Sequence, residues 1–174
     1  MNQERQLEHA QVSTDLQHLP LVLLLDSVEL AVNVGSLFRL ADALGVAQLH
    51  LCGSTPCPPH AKLRRAARAT EQVVAWRQAA DAVAQAAALR QSGYRLLCLE
   101  LTDRSQPLER LEVAVDEPLC LILGNEQQGV SQALLDLAGE SVHLPMQGVN
   151  SSMNVAMAAA IACYHIGQLQ KRSS

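Results

Sequence analysis

An uninterrupted run of apolar residues near the carboxyl end, residues 155–163, constrains the fold more than any other stretch of the chain. If the run is helical, no polar face remains on its turns, so the helix needs cover on every side. A chain of 174 residues covers one side with its own sheet. The many alanines let a second backbone approach closely, which predicts a second subunit on the other side. The run is far shorter than the roughly 20 residues of a membrane-spanning helix.

The loop before this run is rich in small polar residues and predicts a ligand site. Ser151, Ser152 and Asn154 can cap the free N–H groups at the start of the helix, where the helix dipole also favours electron-rich ligands. Pro145 and Gly148 lie in the same loop. From this stretch alone, an ordinary capped core helix explains the residues equally well.

The composition bounds the class of protein. Hydrophobic residues make up 49% of the chain and aromatic residues only 2%, so Leu, Val and Ala build the core, as in parallel strands covered by helices. No run has the length or flanks of a membrane span or a signal peptide, and we expect a cytoplasmic protein. The cysteines lie mostly in apolar segments, which predicts reduced core thiols. No second Cys/His pair joins Cys52 and Cys57 in a zinc site, so we expect no metal.

The distribution of charged residues along the chain is more informative than the net charge. A net charge of −4 argues against indiscriminate binding to polyanions. Basic residues nevertheless cluster where acidic residues are absent, between positions 51 and 70, and a helix over residues 62–70 would place Arg64 and Arg68 one turn apart. This pattern predicts contact with a phosphate backbone, although a solvated helix face explains it nearly as well. The basic cluster consists of Lys62, Arg64, Arg65 and Arg68.

Apolar runs and helical periodicity alternate along the chain after a polar lead-in at residues 1–18. We predict strands at 20–26, 46–52, 72–76, 94–101, 118–123 and 141–144, and helices at 33–45, 62–70, 81–90, 129–137 and from 155 onwards. Asn33 is the predicted cap of the first helix. The alternation predicts an α/β domain over residues 19–174, with a mostly parallel sheet and helices on both faces. Ligands of such sheets bind beyond the carboxyl ends of the strands.

Three segments combine polar residues with predicted strand ends. They are Asn-x-Gly-x-x-x-Arg at residues 33–39, Leu-Gly-Asn-Glu-x-x-Gly at 123–129, and Leu-Pro-Met with Ser-x-Asn-Val at 144–155. None is a dinucleotide fingerprint or a phosphate loop. Gly124 and Gly129 let the backbone pass close to a ligand. Glu126 is either a ligand contact or an acid that stabilises the next helix, and Arg39 is either functional or directed to solvent.

Taken together and in order, these segments resemble the motifs of the SpoU (TrmH-type) RNA 2′-O-ribose methyltransferases of the SPOUT superfamily. The match runs from about Leu21 to Ile166, with Met153 where the family usually has Leu. The resemblance implies a SPOUT-type fold with a C-terminal trefoil knot, S-adenosylmethionine as cofactor, tRNA or rRNA as substrate, and a homodimer formed through the C-terminal helix. It implies cofactor binding, largely through backbone groups, by Leu123, Gly124, Leu144, Met146, Met153 and Glu100.

The resemblance also implies a catalytic set. The acceptor would be a ribose 2′-hydroxyl, and the family assigns to that hydroxyl the arginine that matches Arg39. Because a guanidinium stays protonated, we expect Arg39 to grip the adjacent phosphate and stabilise the developing alkoxide, from either subunit. The residues expected to orient Arg39 and the ribose are Asn33, Glu126, Ser152 and Asn154.

Two alternatives remain open from the sequence. One is a SPOUT-type base methyltransferase with the same cofactor, and the other is a non-catalytic RNA-binding dimer of the same fold. The second is less favoured because every residue of the implied catalytic set is present. The sequence shows no additional RNA-binding domain, so partner-assisted RNA binding is also an expectation.

Overall fold

The sheet consists of seven strands, all parallel, within residues 18–171, which are the residues that the computed structural model describes. The predicted lead-in lies outside this range except for His18, which is exposed. The strand order is β3-β2-β1-β6-β4-β7-β5. The strands are β1 Leu19–Asp26, β2 Val46–Cys52, β3 Trp76–Ala79, β4 Arg95–Leu99, β5 Gln106–Pro107, β6 Leu119–Leu123 and β7 Ser141–His143.

Helices pack on both faces of the sheet, as predicted. Alternate residues of β1 belong to two separate apolar clusters: Leu23 lies in the cluster that contains residues of α1, α2 and α5, and Leu24 lies in the cluster that contains residues of α3 and α4. Burial on both faces explains why the central strands read as continuous apolar runs. The α-helices are α1 Ala31–Leu44, α2 Ala61–Ala67, α3 Ala82–Gln91, α4 Gln132–Ala138 and α5 Val155–Lys171.

The predicted strand at residues 72–76 is wrong. A 3₁₀ turn occupies Thr70–Gln72, Val73 is 73% exposed, and β3 begins only at Trp76. The Trp76 ring packs edge-on against Phe38 of α1, with ring centroids 6.5 Å apart, and this contact places the start of the strand. The strand predicted at 94–101 is also shorter, and the short strand β5 lies where no strand was predicted.

The predicted helix over residues 62–70 ends early, at Ala67. Arg68 and Ala69 both adopt left-handed conformations, with φ of 52° and 71°, and the Arg68 N–H donates to the Arg64 carbonyl. A left-handed residue with a side chain costs roughly 1–2 kcal/mol and cannot continue a right-handed helix. Arg64 and Arg68 are therefore not on successive turns of one helix, which corrects the sequence prediction.

Helix α5 confirms the predicted terminal helix and extends it to Lys171. Its inner face is buried against the sheet and α1. Its outer face exposes an apolar stripe at i, i+4 and i+7, which we call the α5 stripe: Met157, Ile161 and Tyr164, exposed by 63%, 47% and 60%. Residues 18–171 thus cover one side of this helix and leave the other side uncovered, as expected from the apolar run.

The cysteines of the chain are free, and most are buried. Burial raises the pKa of Cys163 to about 12, and burial together with nearby carboxylates raises the pKa of Cys52 and Cys98 to about 12. These thiols are therefore protonated and unreactive at neutral pH. Between residues 18 and 171, no helix is both long and apolar enough to cross a membrane.

Candidate active site

A cavity of about 1060 Å³ opens at the carboxyl edge of the sheet. The loops after β4, β6 and β7 form it together with the start of α1 and the loop before α5. Small-molecule sites typically measure about 300–1,000 Å³, so the cavity has room for a nucleoside-sized ligand and more. The residues predicted to bind cofactor all line it: Leu123, Gly124, Leu144, Met146, Met153 and Glu100. So do four residues of the predicted catalytic set: Asn33, Glu126, Ser152 and Asn154.

A chain of side-chain hydrogen bonds joins the three sequence motifs. Asn154 Nδ2 donates to Asn33 Oδ1 at 2.8 Å, and Asn33 Nδ2 donates to Glu126 Oε1 at 2.8 Å. Asn154 Oδ1 also caps α5 by accepting from the N–H groups of Ala156 and Met157. The structure therefore holds residues of the three motifs in one rigid arrangement.

Glu126 caps α1, a role that the sequence analysis assigned to Asn33. The helix begins at Ala31 after Leu30, whose side chain makes no cap, and Asn33 is buried in the first turn. The Glu126 carboxylate instead accepts from the N–H groups of Glu29 and Leu30, at 3.0 and 3.1 Å. Free N–H groups at a helix start attract a carboxylate, even one from a distant loop.

The ionisation of Glu126 follows from this environment. Burial alone would raise the pKa of the carboxyl group. Hydrogen bonds from Asn33 and from the backbone N–H groups of Glu29, Glu126 and Leu30 outweigh burial and bring the pKa below its usual range. Donors that favour the charged form explain this direction. Glu126 is thus a carboxylate at neutral pH, and its hydrogen bonds hold the start of α1 in place.

The turn at residues 124–129 closes on itself beside the cavity. The Asn125 N–H donates to the Gly129 carbonyl, and the Gly129 N–H donates to the Asn125 carbonyl. A side chain at Gly124 would overlap the Gly129 backbone, and Gly129 has a φ of 69°. These glycines therefore serve close approach within the turn itself, in addition to the ligand approach that the sequence predicted.

Glu100 holds the same turn from the neighbouring strand. Its Oε2 accepts from the Val130 N–H and its Oε1 from the Leu101 N–H, both at 3.0 Å. Glu100 and Glu126 are the charged side chains among the described residues that line the cavity, and neither Lys nor Arg occurs among them. The cavity is accordingly electronegative and favours a cationic ligand over one that carries phosphates.

Arg39 lies outside this cavity, in a neighbouring depression of about 400 Å³. Its side chain is exposed and makes no ion pair or hydrogen bond with any residue from 18 to 171. Asn154 lines both spaces, and Met157 of the α5 stripe lines the depression beside Arg39. Arg39 is thus adjacent to the cavity and next to the uncovered face of α5.

The basic cluster lies on α2, beyond the carboxyl end of β2. Its members, Lys62, Arg64, Arg65 and Arg68, are all exposed. Helix α2 packs so closely on α1 that a side chain at Gly35 would overlap the Leu63 carbonyl. The glycine of the first motif therefore sets the distance between these two helices and does not contact the cavity.

His143, the last residue of β7, was not predicted as a site residue from the sequence. It lines the cavity, and its Nδ1 lies 2.9 Å from Ser105 Oγ. A histidine directly before the Leu-Pro-Met segment, at the end of a predicted strand, was a signal that would have identified it. Ser105 carried no such signal, because β5 is too short to be recognised.

The fold and the cavity define an α/β protein with a small-molecule site at the carboxyl edge of a parallel sheet. Residues 20–164 match the SpoU rRNA Methylase family. This match covers most of the chain, so the chain belongs to the SpoU rRNA methylase family, and the predicted resemblance is confirmed.

Similar proteins agree with this assignment. A tRNA (guanosine(18)-2′-O)-methyltransferase of Escherichia coli K12 is 29% identical over 160 residues, covering 88% of this chain and 65% of the relative. A 23S rRNA (guanosine(2553)-2′-O)-methyltransferase of Bacillus subtilis 168 is 33% identical over 147 residues, covering 83% of this chain and 57% of the relative. The chain thus spans less than two thirds of either relative.

A solved structure shares the fold. The AdoMet-bound rRNA methyltransferase of Sinorhizobium meliloti superposes with a TM-score of 0.79 and 25% sequence identity. The superposition covers 88% of this chain and 57% of that structure. The α/β fold with a parallel sheet is therefore that of SpoU methyltransferases.

Proposed function

We propose that this protein transfers a methyl group from S-adenosylmethionine to a ribose 2′-hydroxyl of tRNA or rRNA. The observation that carries the proposal is the cavity at the sheet edge, in which residues of all three motifs meet. The E. coli and B. subtilis relatives are named as 2′-O-methyltransferases of tRNA and of rRNA.

The residues of the cavity fit S-adenosylmethionine. The cofactor carries a sulfonium and an ammonium group, which suit a cavity whose charged lining consists of Glu100 and Glu126. Its adenine needs apolar cover, which Leu99, Leu144 and Met146 supply. A phosphate-bearing cofactor would meet these carboxylates with no Lys or Arg among the described lining residues to compensate. When bound, the cofactor would supply an electrophilic methyl group.

In this arrangement some polar side chains hold the motifs in place, and a different one is free to contact the ribose. The side chains of Asn33, Glu126 and Asn154 are occupied by bonds to one another and to helix starts, so they position the motifs. Ser152 is exposed at the cavity and makes no hydrogen bond with the residues from 18 to 171, so its hydroxyl is available to the ribose. The proposed task of this frame is to align the acceptor oxygen with the methyl group.

Arg39 supplies the cationic group of the proposed mechanism. Its guanidinium stays protonated, so it donates hydrogen bonds and does not accept the hydroxyl proton. Its exposed position lets it bind an RNA phosphate bidentately and stabilise charge that develops on the ribose oxygen. The proton would pass to that phosphate or to water.

We propose that a second copy of this chain covers the α5 stripe. The stripe adjoins the Arg39 depression, and α1 adds exposed apolar residues at its start, Leu30 at 57% and Val32 at 55%. Exposed apolar side chains grouped on a helix are typical of a subunit interface. A twofold arrangement would pair the stripe with itself and bring the Arg39 of each subunit towards the interface.

The basic cluster is the proposed RNA contact. The one acidic residue close to it in sequence, Glu71, is buried at 8% exposure, so α2 presents positive charge to solvent. Helix α2 follows β2 at the carboxyl edge of the sheet, the edge at which the cavity opens. RNA held at α2 would therefore lie on the same side of the molecule as the cavity.

The trefoil knot implied by the resemblance belongs to this proposal as well. After β7, which lies between β4 and β5, residues 144–154 lead back to α5, which packs against α1. This return passes the closed turn at 124–129, with which it lines the cavity. Such a path is what a threaded C-terminal segment requires.

The function can be tested by mass spectrometry of nucleosides from total tRNA and rRNA of cells with and without the gene. We expect one ribose-methylated nucleoside to disappear on deletion and to return when the purified protein and S-adenosylmethionine are added to the RNA. Loss of a base-methylated nucleoside instead would identify the base methyltransferase alternative. No change in either class of nucleoside would contradict enzymatic activity on these RNAs.

A further inference from the structure

His143 occupies the end of the cavity that is farthest from α1. The cavity extends along the carboxyl edge from β1 across β6 and β4 to β7, where His143 is the last strand residue. Its neighbours at this end are mostly apolar: Leu99 is the last residue of β4, and Leu144 and Met146 follow β7. Glu100 also lines the cavity here, and its carboxylate accepts from the backbone N–H groups of Val130 and Leu101. The positioning residues Asn33 and Glu126 lie at the opposite end.

The surroundings of Ser105 favour one tautomer of His143, because a carbonyl can only accept a hydrogen bond whereas an imidazole nitrogen can also donate one. The Ser105 hydroxyl has one proton, and it donates that proton to the Thr102 carbonyl at 3.0 Å. The same oxygen accepts from the Thr102 N–H at 3.0 Å. Ser105 Oγ also lies 2.9 Å from His143 Nδ1; with the hydroxyl proton donated to the Thr102 carbonyl, Nδ1 is the donor in this contact and carries the proton.

This assignment leaves His143 Nε2 as a hydrogen-bond acceptor. In the neutral ring only one nitrogen is protonated, so Nε2 presents a lone pair. Nε2 makes no hydrogen bond with any residue from 18 to 171, and it is not enclosed. A polar acceptor with no partner in a mostly apolar part of a cavity discriminates among ligands by requiring a donor from them.

We propose that His143 Nε2 accepts a hydrogen bond from the 6-amino group of adenine and so selects adenosyl over inosyl ligands. The inference rests on the proposed use of S-adenosylmethionine. Adenine is the flat, apolar part of that molecule, and the apolar end of the cavity is where it is best covered. Its 6-amino group is the donor that an acceptor at this end requires. Inosine carries a 6-oxo group there, which repels a lone pair.

The test compares the binding of S-adenosylhomocysteine with that of S-inosylhomocysteine by calorimetry. In the wild-type protein we expect the adenosyl ligand to bind more tightly. In His143→Leu we expect that preference to shrink by roughly three- to tenfold, as for the removal of one hydrogen bond, through weaker binding of the adenosyl ligand. His143→Gln, which restores an acceptor, is expected to recover part of the preference.

Two controls separate recognition from packing. Met146→Ala removes apolar cover at the same end of the cavity and is expected to weaken both ligands by a similar factor. Ser105→Ala keeps the imidazole but frees its Nδ1, and is expected to reduce the preference less than His143→Leu does. This second variant also supplies the result if His143→Leu does not fold.

The outcomes distinguish the inference from the function on which it rests. If wild-type protein binds both ligands and neither His143→Leu nor Ser105→Ala changes the preference, His143 does not read the base. Equal weakening of both ligands by His143→Leu would likewise assign His143 to packing alone. If the wild-type protein binds neither ligand, the proposed cofactor itself is wrong.

Discussion

Asn154 Nδ2 lies 2.8 Å from Asn33 Oδ1, although 121 positions separate the two residues in the chain. The bond ties the start of α5 to the first turn of α1, and the Asn33 amide passes the connection on to Glu126. An amide can do this because it both donates and accepts. The geometry of the site therefore depends on hydrogen bonds that these two asparagines make.

The asparagine link predicts a stability defect with measurable coupling. Asn33→Ala leaves the Asn154 amide and the Glu126 carboxylate each without one partner, and we expect a decrease of about 1–3 kcal/mol in the free energy of unfolding. Asn154→Ala should cost a similar amount, because it also removes the cap of α5. Urea unfolding of both single variants and the double variant measures the coupling. Asp42→Ala, at an exposed site on α1, is the control, and strictly additive decreases would contradict the link.

Arg39 is predicted to act on transfer and not on cofactor binding. Because its side chain lies outside the cavity, Arg39→Ala should leave the affinity for S-adenosylmethionine nearly unchanged. Removal of a cationic group that stabilises transition-state charge should slow methyl transfer by about 10²–10³-fold. Calorimetry and transfer of a labelled methyl group to RNA measure the two quantities separately. Arg110→Ala, at an exposed site on another part of the surface, is the matched control. Equal impairment of binding and transfer in Arg39→Ala would make Arg39 structural.

The basic cluster is predicted to bind RNA through phosphates. Charge reversal at Arg64, Arg65 and Arg68 should weaken RNA binding and reduce the slope of affinity against salt concentration by about one for each phosphate that is no longer neutralised. Filter binding at several salt concentrations measures both effects. Reversal at Arg110 should change neither. An unchanged affinity in the triple variant would make the cluster ordinary surface.

The α5 stripe is predicted to hold a dimer together. Ile161→Lys places a charge in the centre of the stripe and should shift the protein to a monomer, while the helix content stays unchanged. Analytical ultracentrifugation and circular dichroism make the two measurements. Ala88→Lys, at an exposed position of α3 on the opposite face of the sheet, should remain dimeric. A monomeric wild-type protein at micromolar concentration would exclude this interface.

His50 predicts a pH dependence of stability. Burial, and then the charge of Arg77, lower its pKa from 6.5 to about 4. In the unfolded state His50 therefore becomes protonated below about pH 6.5, whereas in the folded state it stays neutral down to about pH 4. Stability should decrease across this window as the pH falls, by roughly 3 kcal/mol at most, and should not depend on this group above it.

Thermal or urea unfolding at several pH values tests this effect. The variant His50→Leu should flatten the curve between pH 4 and pH 6.5, because no group at that position then titrates. His18→Gln, at an exposed histidine, should leave the curve unchanged. An unaltered slope in His50→Leu would show that other groups cause the pH dependence.

Much of the fold could be read from the sequence because its signals are local. Continuous apolar runs identified the buried strands, and α1 ends at Gly45 as predicted, where the structure shows a left-handed conformation. The strand prediction for residues 72–76 was wrong because adjacent valines are typical of strands, whereas the chain pairs with β2 only from Trp76 onwards. The predicted end of the helix at residue 70 was wrong because Arg68 and Ala69 adopt positive φ, which is rare for residues other than glycine and which composition does not reveal.

The residues that the family resemblance implied for cofactor binding all line the cavity, because they follow strand ends, and parallel strands end at one edge. The sequence by itself therefore determined the α/β architecture, the family and the location of the site. Only the tertiary structure decided that Glu126 caps α1, that Arg39 lies beside the cavity instead of in it, and that His143 faces its far end. The physical reason is that hydrogen bonds between residues some hundred positions apart depend on how the elements pack, and no local pattern encodes that packing.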